Sequence, residues 1–178
     1  MNKDHDISIR ALNANDLEEF RAMRIHALTL HTDLFSETPE TAKAYPEEIW
    51  LETLDNKGKR VFGLYDGSVM IGITAVFTWR EDPTKKTGIM AMDFIEPEYR
   101  GFGYSSYLYK ARFDFAVNYK PWTKLRISHR EGNIPSRAAI LKHGFQYIDA
   151  NEFNFPDQTR DLEHNYELDL CALRKETK

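Results

Sequence analysis

The chain reads as an α/β domain built on one sheet of mixed direction, antiparallel in its early strands and joined by a crossover helix later on. Three observations carry that reading. Two β-rich runs, Arg60 to Tyr65 and Ser68 to Arg80, flank Asp66-Gly67, a two-residue signal for a tight antiparallel hairpin. The segment Ile95-Glu96-Pro97-Glu98-Tyr99-Arg100-Gly101-Phe102-Gly103-Tyr104-Ser105 then joins a strand end to a helix start through a glycine-rich turn. At 178 residues with 42% hydrophobic side chains, the chain is long enough for one sizeable core and too short for two, so residues 1–178 are expected to form a single domain.

The elements follow in order. Ile7-Ser8-Ile9-Arg10 alternates like a short strand, and Asn15 or Asp16 followed by Glu18 and Glu19 opens a helix that carries Leu17, Phe20, Met23, Ala27 and Leu28 on one stripe. From His31 to Tyr45 the residues are mixed and without period. Pro46-Glu47-Glu48 then starts a second helix through Trp50, Leu51 and Leu54. The hairpin follows, a turn at Glu81-Asp82-Pro83 leads to a strand from Gly88 to Ile95, and Tyr104, Tyr107, Leu108, Ala111 and Phe115 fall at helical spacing after the glycine turn. Lys124 to His129 reads as a strand and Ile134 to His143 as a helix closed by Gly144. Phe145 to Ile148 is a further strand, the region of Asp161 to Glu163 a loop, and Tyr166 to Ala172 the closing strand.

Charge and composition exclude several classes. The net charge of -4 comes from 24 basic and 28 acidic residues scattered along the chain, with no basic footprint for nucleic acid or an anionic membrane surface. The start, Met1 to Asp6, is polar, and no later run approaches the roughly 20 apolar residues of a membrane span, so the cytoplasm is the expected location. Cys171 is the only cysteine and reads as a buried, reduced thiol without a catalytic role.

The glycine turn is the residue pattern with the most chemical content. Glycines let backbone N–H groups converge on one ligand, Arg100 brings a positive charge to the rim, and the following helix aims the positive end of its dipole at the same point. An anionic ligand follows. A nucleoside-triphosphate loop requires Gly-Lys-Ser or Gly-Lys-Thr at its end, whereas this turn ends Gly103-Tyr104-Ser105. A dinucleotide site requires a parallel opening unit, whereas the strands before this turn are antiparallel.

Arg100-Gly101-Phe102-Gly103-Tyr104-Ser105, together with Asn133-Ile134-Pro135-Ser136 and Lys142-His143-Gly144-Phe145 downstream, resembles the GNAT superfamily of N-acetyltransferases. The pyrophosphate loop of that family has this pattern, with Ser105 here in place of the last small residue. The similarity in element order runs from Ile7 to Ala172. It implies a mostly antiparallel twisted sheet with flanking helices and a central, splayed parallel strand pair. It further implies acetyl-CoA as co-substrate, no metal, a primary amine as acceptor (a small molecule or a peptide N-terminus) and direct attack in a ternary complex. Family members often pair as homodimers. Phe94, Ile95, Arg100, Gly101, Phe102, Gly103, Tyr104, Ser105, Asn133 and Ser136 are the implied cofactor contacts, with Arg137 and Lys142 within reach of the 3′-phosphate. The segment holding His31, Phe35, Tyr45 and Trp50 is the implied acceptor wall, with Phe35 as a lining residue and Trp50 as core.

The proton chemistry departs from the family. Many members place a tyrosine on the helix after the asparagine to protonate the departing thiolate, and Ile140 stands at the matching position. Ser136, four residues earlier on the same helical face, is the substitute donor, with a helix cap as its rival role. Similar ribosomal-protein N-terminal acetyltransferases also carry serine there. Asp93 shares a face with Ala91 and Ile95 in an apolar strand, and His129 shares one with Leu125 and Ile127. If those strands are splayed neighbours, Asp93 and His129 lie together as a base and the group that orients it; the rival reading is two polar groups satisfied by backbone at the sheet end, and Glu96 and Glu131 are further candidates that also read as solvated loop charges. The acidic residues Glu37, Glu40, Glu47 and Glu48 offer either attraction for a cationic amine or a solvated helix start. The missing tyrosine also leaves a second reading, a CoA-binding module with weak or no catalysis.

Overall fold

The computed structural model describes residues 5–54 and 57–176; Met1 to Asp4, most of the polar start, lie outside them. Its centre is a seven-stranded sheet in the order β1-β2-β3-β4-β5-β7-β6, formed by β1 (Ile7–Ala11), β2 (Lys59–Asp66), β3 (Val69–Thr78), β4 (Thr87–Ile95), β5 (Lys124–Arg130), β6 (Gln146–Asn154) and β7 (Arg160–Asp169). Every neighbouring pair is antiparallel except β4 and β5, which run parallel. Among the described residues the α-helices are α1 (Leu17–Leu30), α2 (Pro39–Lys43), α3 (Glu47–Leu54), α4 (Ser105–Asn118), α5 (Ile134–Lys142) and α6 (Leu170–Glu176).

Helices cover both faces of the early sheet, which explains why β2 is buried without interruption from Val61 to Tyr65. On one face Phe20, Leu28 and Trp50 pack with Val61, Tyr65 and Ile73; on the other, Leu108 of α4 meets Leu64 and Ile71. A third cluster, with Trp122, Leu125, Ile140, Phe145 and Tyr166 fully or nearly buried, seats α4, α5 and α6 against the later strands. Burying a side chain of this size contributes about 1.5–3 kcal/mol.

Two irregularities open the centre of the sheet. β4 and β5 pair only from Thr87–Lys124 to Ile89–Arg126 and have no register partners beyond. At that short junction Gly88 admits the Trp122 ring, which a Cβ would meet at 2.7 Å. Along the other edge of β4, Ala75 opposes Ala91 and Ile73 opposes Phe94, so Met92 and Asp93 together face Thr74 as a bulge. Met92 sits there at φ 62°, a left-handed conformation that is costly for a non-glycine residue. The bulge lies beyond the last pair that β4 makes with β5.

Four expectations need correction. The hairpin turn lies one residue later than Asp66-Gly67: Asp66 pairs with Val69, so Gly67, at φ 58°, and Ser68 are the central residues. A short helix, α2, forms inside the stretch without period because Thr38 caps it, accepting from Thr41 N at 3.0 Å, and Pro39 follows at the first helical position. The region of Asp161 to Glu163 belongs to β7, and β6 runs on to Asn154; as a polar edge strand, exposed on nearly every residue, β6 has no hydrophobic alternation to betray its length. The closing strand stops at Asp169, whose Oδ1 accepts from Cys171 N at 2.7 Å and turns the chain into α6, leaving Cys171 exposed rather than buried.

Candidate active site

The opening between β4 and β5 continues into a cleft of about 1090 Å³. One end is the glycine turn. A short 3-10 turn, Pro97–Tyr99, leads from β4 into Gly101 at φ 86° and Gly103 at φ 81°, both with open space where a Cβ would stand. These glycines are required by the left-handed backbone, not by crowding within the protein. Tyr104 precedes α4 without a side-chain cap; Ser106 N and Tyr107 N bond back to the Gly103 and Tyr104 carbonyls at 3.1 and 3.0 Å, and the positive end of the dipole of a 14-residue helix is directed at this end of the cleft.

Arg100 is folded back rather than extended. Its Nε donates to the Ile95 carbonyl at 2.7 Å and its Nη2 to His31 Nε2 at 2.8 Å, with the guanidinium 5.6 Å from the centre of the Phe94 ring. Accepting from Arg100 requires His31 to be neutral, and burial, followed by the Arg100 charge, lowers the His31 pKa below the ordinary histidine value. The pair ties the cofactor turn to the end of α1, which begins the opposite wall. Phe94, Ile95, Gly101, Gly103, Tyr104 and Ser105 line the cleft, whereas Phe102 stacks on Tyr104 and leaves 57% of its surface exposed outside the lining.

Asp93 and His129 face this cleft, but no hydrogen bond or ion pair links them. Asp93 Oδ1 lies 2.6 Å from Nη1 of Arg112 and accepts a short hydrogen bond from the Thr74 hydroxyl. Arg112 comes from the inner face of α4 with no exposed surface; its contact with Asp93 is a charge contact without hydrogen-bond alignment, while its Nε donates to the Leu108 carbonyl at 3.2 Å. Both Asp93 contacts use Oδ1, and the side chain remains 36% exposed to the cleft. His129 is held on the other strand. Its Nδ1–H donates to the Arg130 carbonyl at 2.8 Å, which makes Nε2 the acceptor for the Tyr166 hydroxyl at 2.9 Å. Burial lowers the His129 pKa. Asp93 and His129 therefore do not form a base-and-orienter pair: Asp93 takes its partners from β3 and α4, and His129 takes its own from the Arg130 carbonyl and β7.

The cap at the start of α5 is Asn133 rather than Ser136. Asn133 Oδ1 accepts from Ser136 N at 3.3 Å, so Asn133 is the cap and the Ser136 hydroxyl is not needed for it. Asn133 and Ser136 both line the cleft. Ile140 points into the core with no exposed surface, against the cluster that holds Phe145 and Tyr166.

The far wall comes from the α1–α2 segment and the β6–β7 hairpin. Phe35 lines it under the guanidinium of Arg24, at 4.8 Å, and Trp50 is buried core. Arg24 is only 6% exposed and donates from Nη2 to Glu37 at 2.9 Å. Glu37 is thus neutralised, while Glu40, Glu47 and Glu48 are solvent-exposed around their helix starts. Arg130, at the end of β5, reaches the Asp33 carbonyl at 2.6 Å, Asp157 at 2.7 Å, Asp161 at 2.9 Å and Thr159 Oγ1 at 2.5 Å, and lies 4.3 Å from the Phe155 ring. It pins the hairpin loop to the α1–α2 segment and holds the Asp157 carboxyl down to about 2. Sequence reading missed Thr74, Arg112, Arg130 and Tyr166. The signal for Arg112 was an arginine on the apolar face of a helix; nothing local marked the others.

A family model for the acetyltransferase (GNAT) domain matches residues 6–146, and the chain belongs to that family. Solved structures agree on the fold. yncA of Salmonella typhimurium, solved with its cofactor acetyl-CoA, aligns at a TM-score of 0.77 over 93% of this chain and 94% of its own, with 17% identity. An N-acetyltransferase of Staphylococcus aureus aligns at 0.77 over 93% and 99% with 20% identity. The spermidine N-acetyltransferase of Vibrio cholerae, solved with CoA and spermine, aligns at 0.70 over 93% and 96% with 17% identity. Among curated proteins no sequence matches significantly. Among the described residues no helix is long and apolar enough to cross a membrane, and no three His, Cys, Asp or Glu side chains group to hold a metal ion.

Proposed function

We propose that this protein transfers the acetyl group of acetyl-CoA to a primary amine by direct attack. The observation that carries the proposal is the pairing of a helix start without a side-chain cap and two left-handed glycines with a gap between parallel strands that opens after Ile89 and runs to the same turn. The turn suits a pyrophosphate, and the gap suits an extended pantetheine arm. Acetyl-CoA would supply a thioester carbonyl activated toward an amine.

The chain's own groups divide the work. The backbone N–H of Ile95, beyond the bulge and facing away from β3, stabilises the charge that develops on the carbonyl oxygen. The amine nitrogen forms the new bond to the carbonyl carbon while the C–S bond breaks. Asp93 Oδ2 takes the amine proton, directly or through one water, with Oδ1 fixed by Thr74 and Arg112. The Ser136 hydroxyl donates a hydrogen bond to the departing thiolate and relays to it a proton drawn from solvent, so that the hydroxyl is restored, and it occupies the role that the buried Ile140 cannot fill. His129, with both ring nitrogens engaged, is a positioning group for the end of β5.

A thiol-release assay with acetyl-CoA and a panel of polyamines, amino acids, aminoglycosides and peptides tests this reading. Acceptor-dependent release is expected. Tight acetyl-CoA binding with no release above hydrolysis on every acceptor would replace the enzyme by a binding module.

A further inference from the structure

The ionisable groups of the cleft are matched in pairs except at its two ends. Three carboxylates line it, those of Glu37, Asp93 and Glu163. Glu37 faces Arg24 at 2.9 Å and Asp93 faces Arg112 at 2.6 Å. Glu163, on β7, accepts from the Ser128 hydroxyl at 2.8 Å, and no Lys, Arg or His nitrogen of the described residues comes within 4.0 Å of it. Its register partner across the strand pair is Arg130, which is turned instead to Asp157 and Asp161. Two carboxylates already share that guanidinium, so the charge of Glu163 adds to a local excess of negative charge. At the other end Arg100 is the cleft cation without a carboxylate, bonded to a carbonyl and a neutral imidazole.

Glu163 lies on the acceptor side. Ser128 and Arg130 alternate on the same face of β5, and Arg130 bonds to Asp33 in the α1–α2 segment, so the carboxylate held by Ser128 opens toward that wall. While the cleft is wet, water solvates it. An acceptor that fills the cleft displaces this water, and a neutral one would leave a half-buried carboxylate uncompensated. We infer that the acceptor carries a second cationic group, as a diamine or polyamine does, and that Glu163, oriented by Ser128, pairs with that ammonium while the other amine attacks. The inference rests on the acetyl-transfer reading above and names its substrate class.

Butylamine and putrescine, which differ by one terminal ammonium, provide the test with saturating acetyl-CoA. The wild type is expected to favour putrescine in kcat/KM by about tenfold or more, the scale of one charge-assisted contact. Glu163→Gln removes the preference by slowing putrescine, leaves butylamine within about twofold, and leaves the KM for acetyl-CoA unchanged. Ser128→Ala, which keeps the carboxylate but frees it, gives a smaller loss of the same kind. A preference that survives both substitutions overturns the inference. So does an equal fall in kcat on both amines, which would make Glu163 the base. If neither amine is turned over, spermidine binding to the protein–CoA complex decides by calorimetry: Glu163→Gln weakens it about tenfold, and absent or equal binding overturns the claim. Acetyl-CoA binding measured alone reports separately on the cofactor reading.

Discussion

The two halves of the cleft are built from different materials. The cofactor half is main chain: two left-handed glycines, a helix start without a side-chain cap and a bulged strand. The acceptor half is side chain: Arg24 on Glu37, Arg130 across three segments, and Glu163 on Ser128. A main-chain site depends on where the backbone goes, so few substitutions alter it and those few are severe. A side-chain site depends on which residues meet across elements far apart in sequence, so it can be altered one residue at a time without disturbing the fold.

That contrast can be broken first at Gly103. Valine there would have to hold φ 81°, a region costing a β-branched residue about 1–3 kcal/mol, and would place its side chain in the space left for a ligand. Gly103→Val is expected to abolish the rise in Tm that acetyl-CoA gives the wild type; an undiminished rise would contradict the main-chain account. Asp93→Asn is expected to lower kcat by about a hundredfold or more with acetyl-CoA affinity unchanged, since it removes a proton acceptor and not a cofactor contact. Ser136→Ala should lower kcat by about tenfold, with its helix intact because Asn133 provides the cap. Circular dichroism would report the helix, and an unchanged kcat would remove Ser136 from the chemistry.

Two smaller effects sharpen the boundary between site and core. Ile140→Tyr restores the residue type usual in the family, yet this position is fully buried, and overpacking should destabilise the fold by about 1–3 kcal/mol without raising kcat. A gain in kcat would show that the helix can turn that side chain to the cleft. The second concerns pH. His31 and His129 both have pKa values lowered by burial, so the folded state resists protons that the unfolded chain takes up. Stability should therefore be undiminished above about pH 6.5 and fall as the pH drops below it toward the lowered folded values. His31→Gln should flatten part of that fall, because glutamine can still accept from Arg100 without binding a proton; an unchanged profile would place the loss elsewhere.

How much of this was legible depended on the same contrast. The glycine turn and its helix are contiguous in sequence, as are the Asn133 cap and Gly144, and those elements appear where residue types place them. Asp93 and His129 were visible as polar residues on apolar faces, but their partners were not. Thr74 lies 19 residues from Asp93 and Tyr166 lies 37 from His129, and each meeting is set by sheet order and by a bulge with no local signature. Met92 gives no hint of a positive φ, because the conformation is imposed by two residues facing one across β3 and β4. The polar edge strand β6 and the Asp169 cap failed for a related reason: alternation of apolar residues marks what is buried on one face, and neither feature depends on it.

The central claim, that the gap beside the glycine turn holds acetyl-CoA, is tested most directly by amide hydrogen exchange with and without the cofactor. Protection is predicted at Ile95 together with Gly101 to Ser105, on the β4 side of the gap and at the turn, while the Phe155 to Asp161 rim of the acceptor half is unaffected. No protection at the turn, or protection confined to the acceptor rim, would contradict the account.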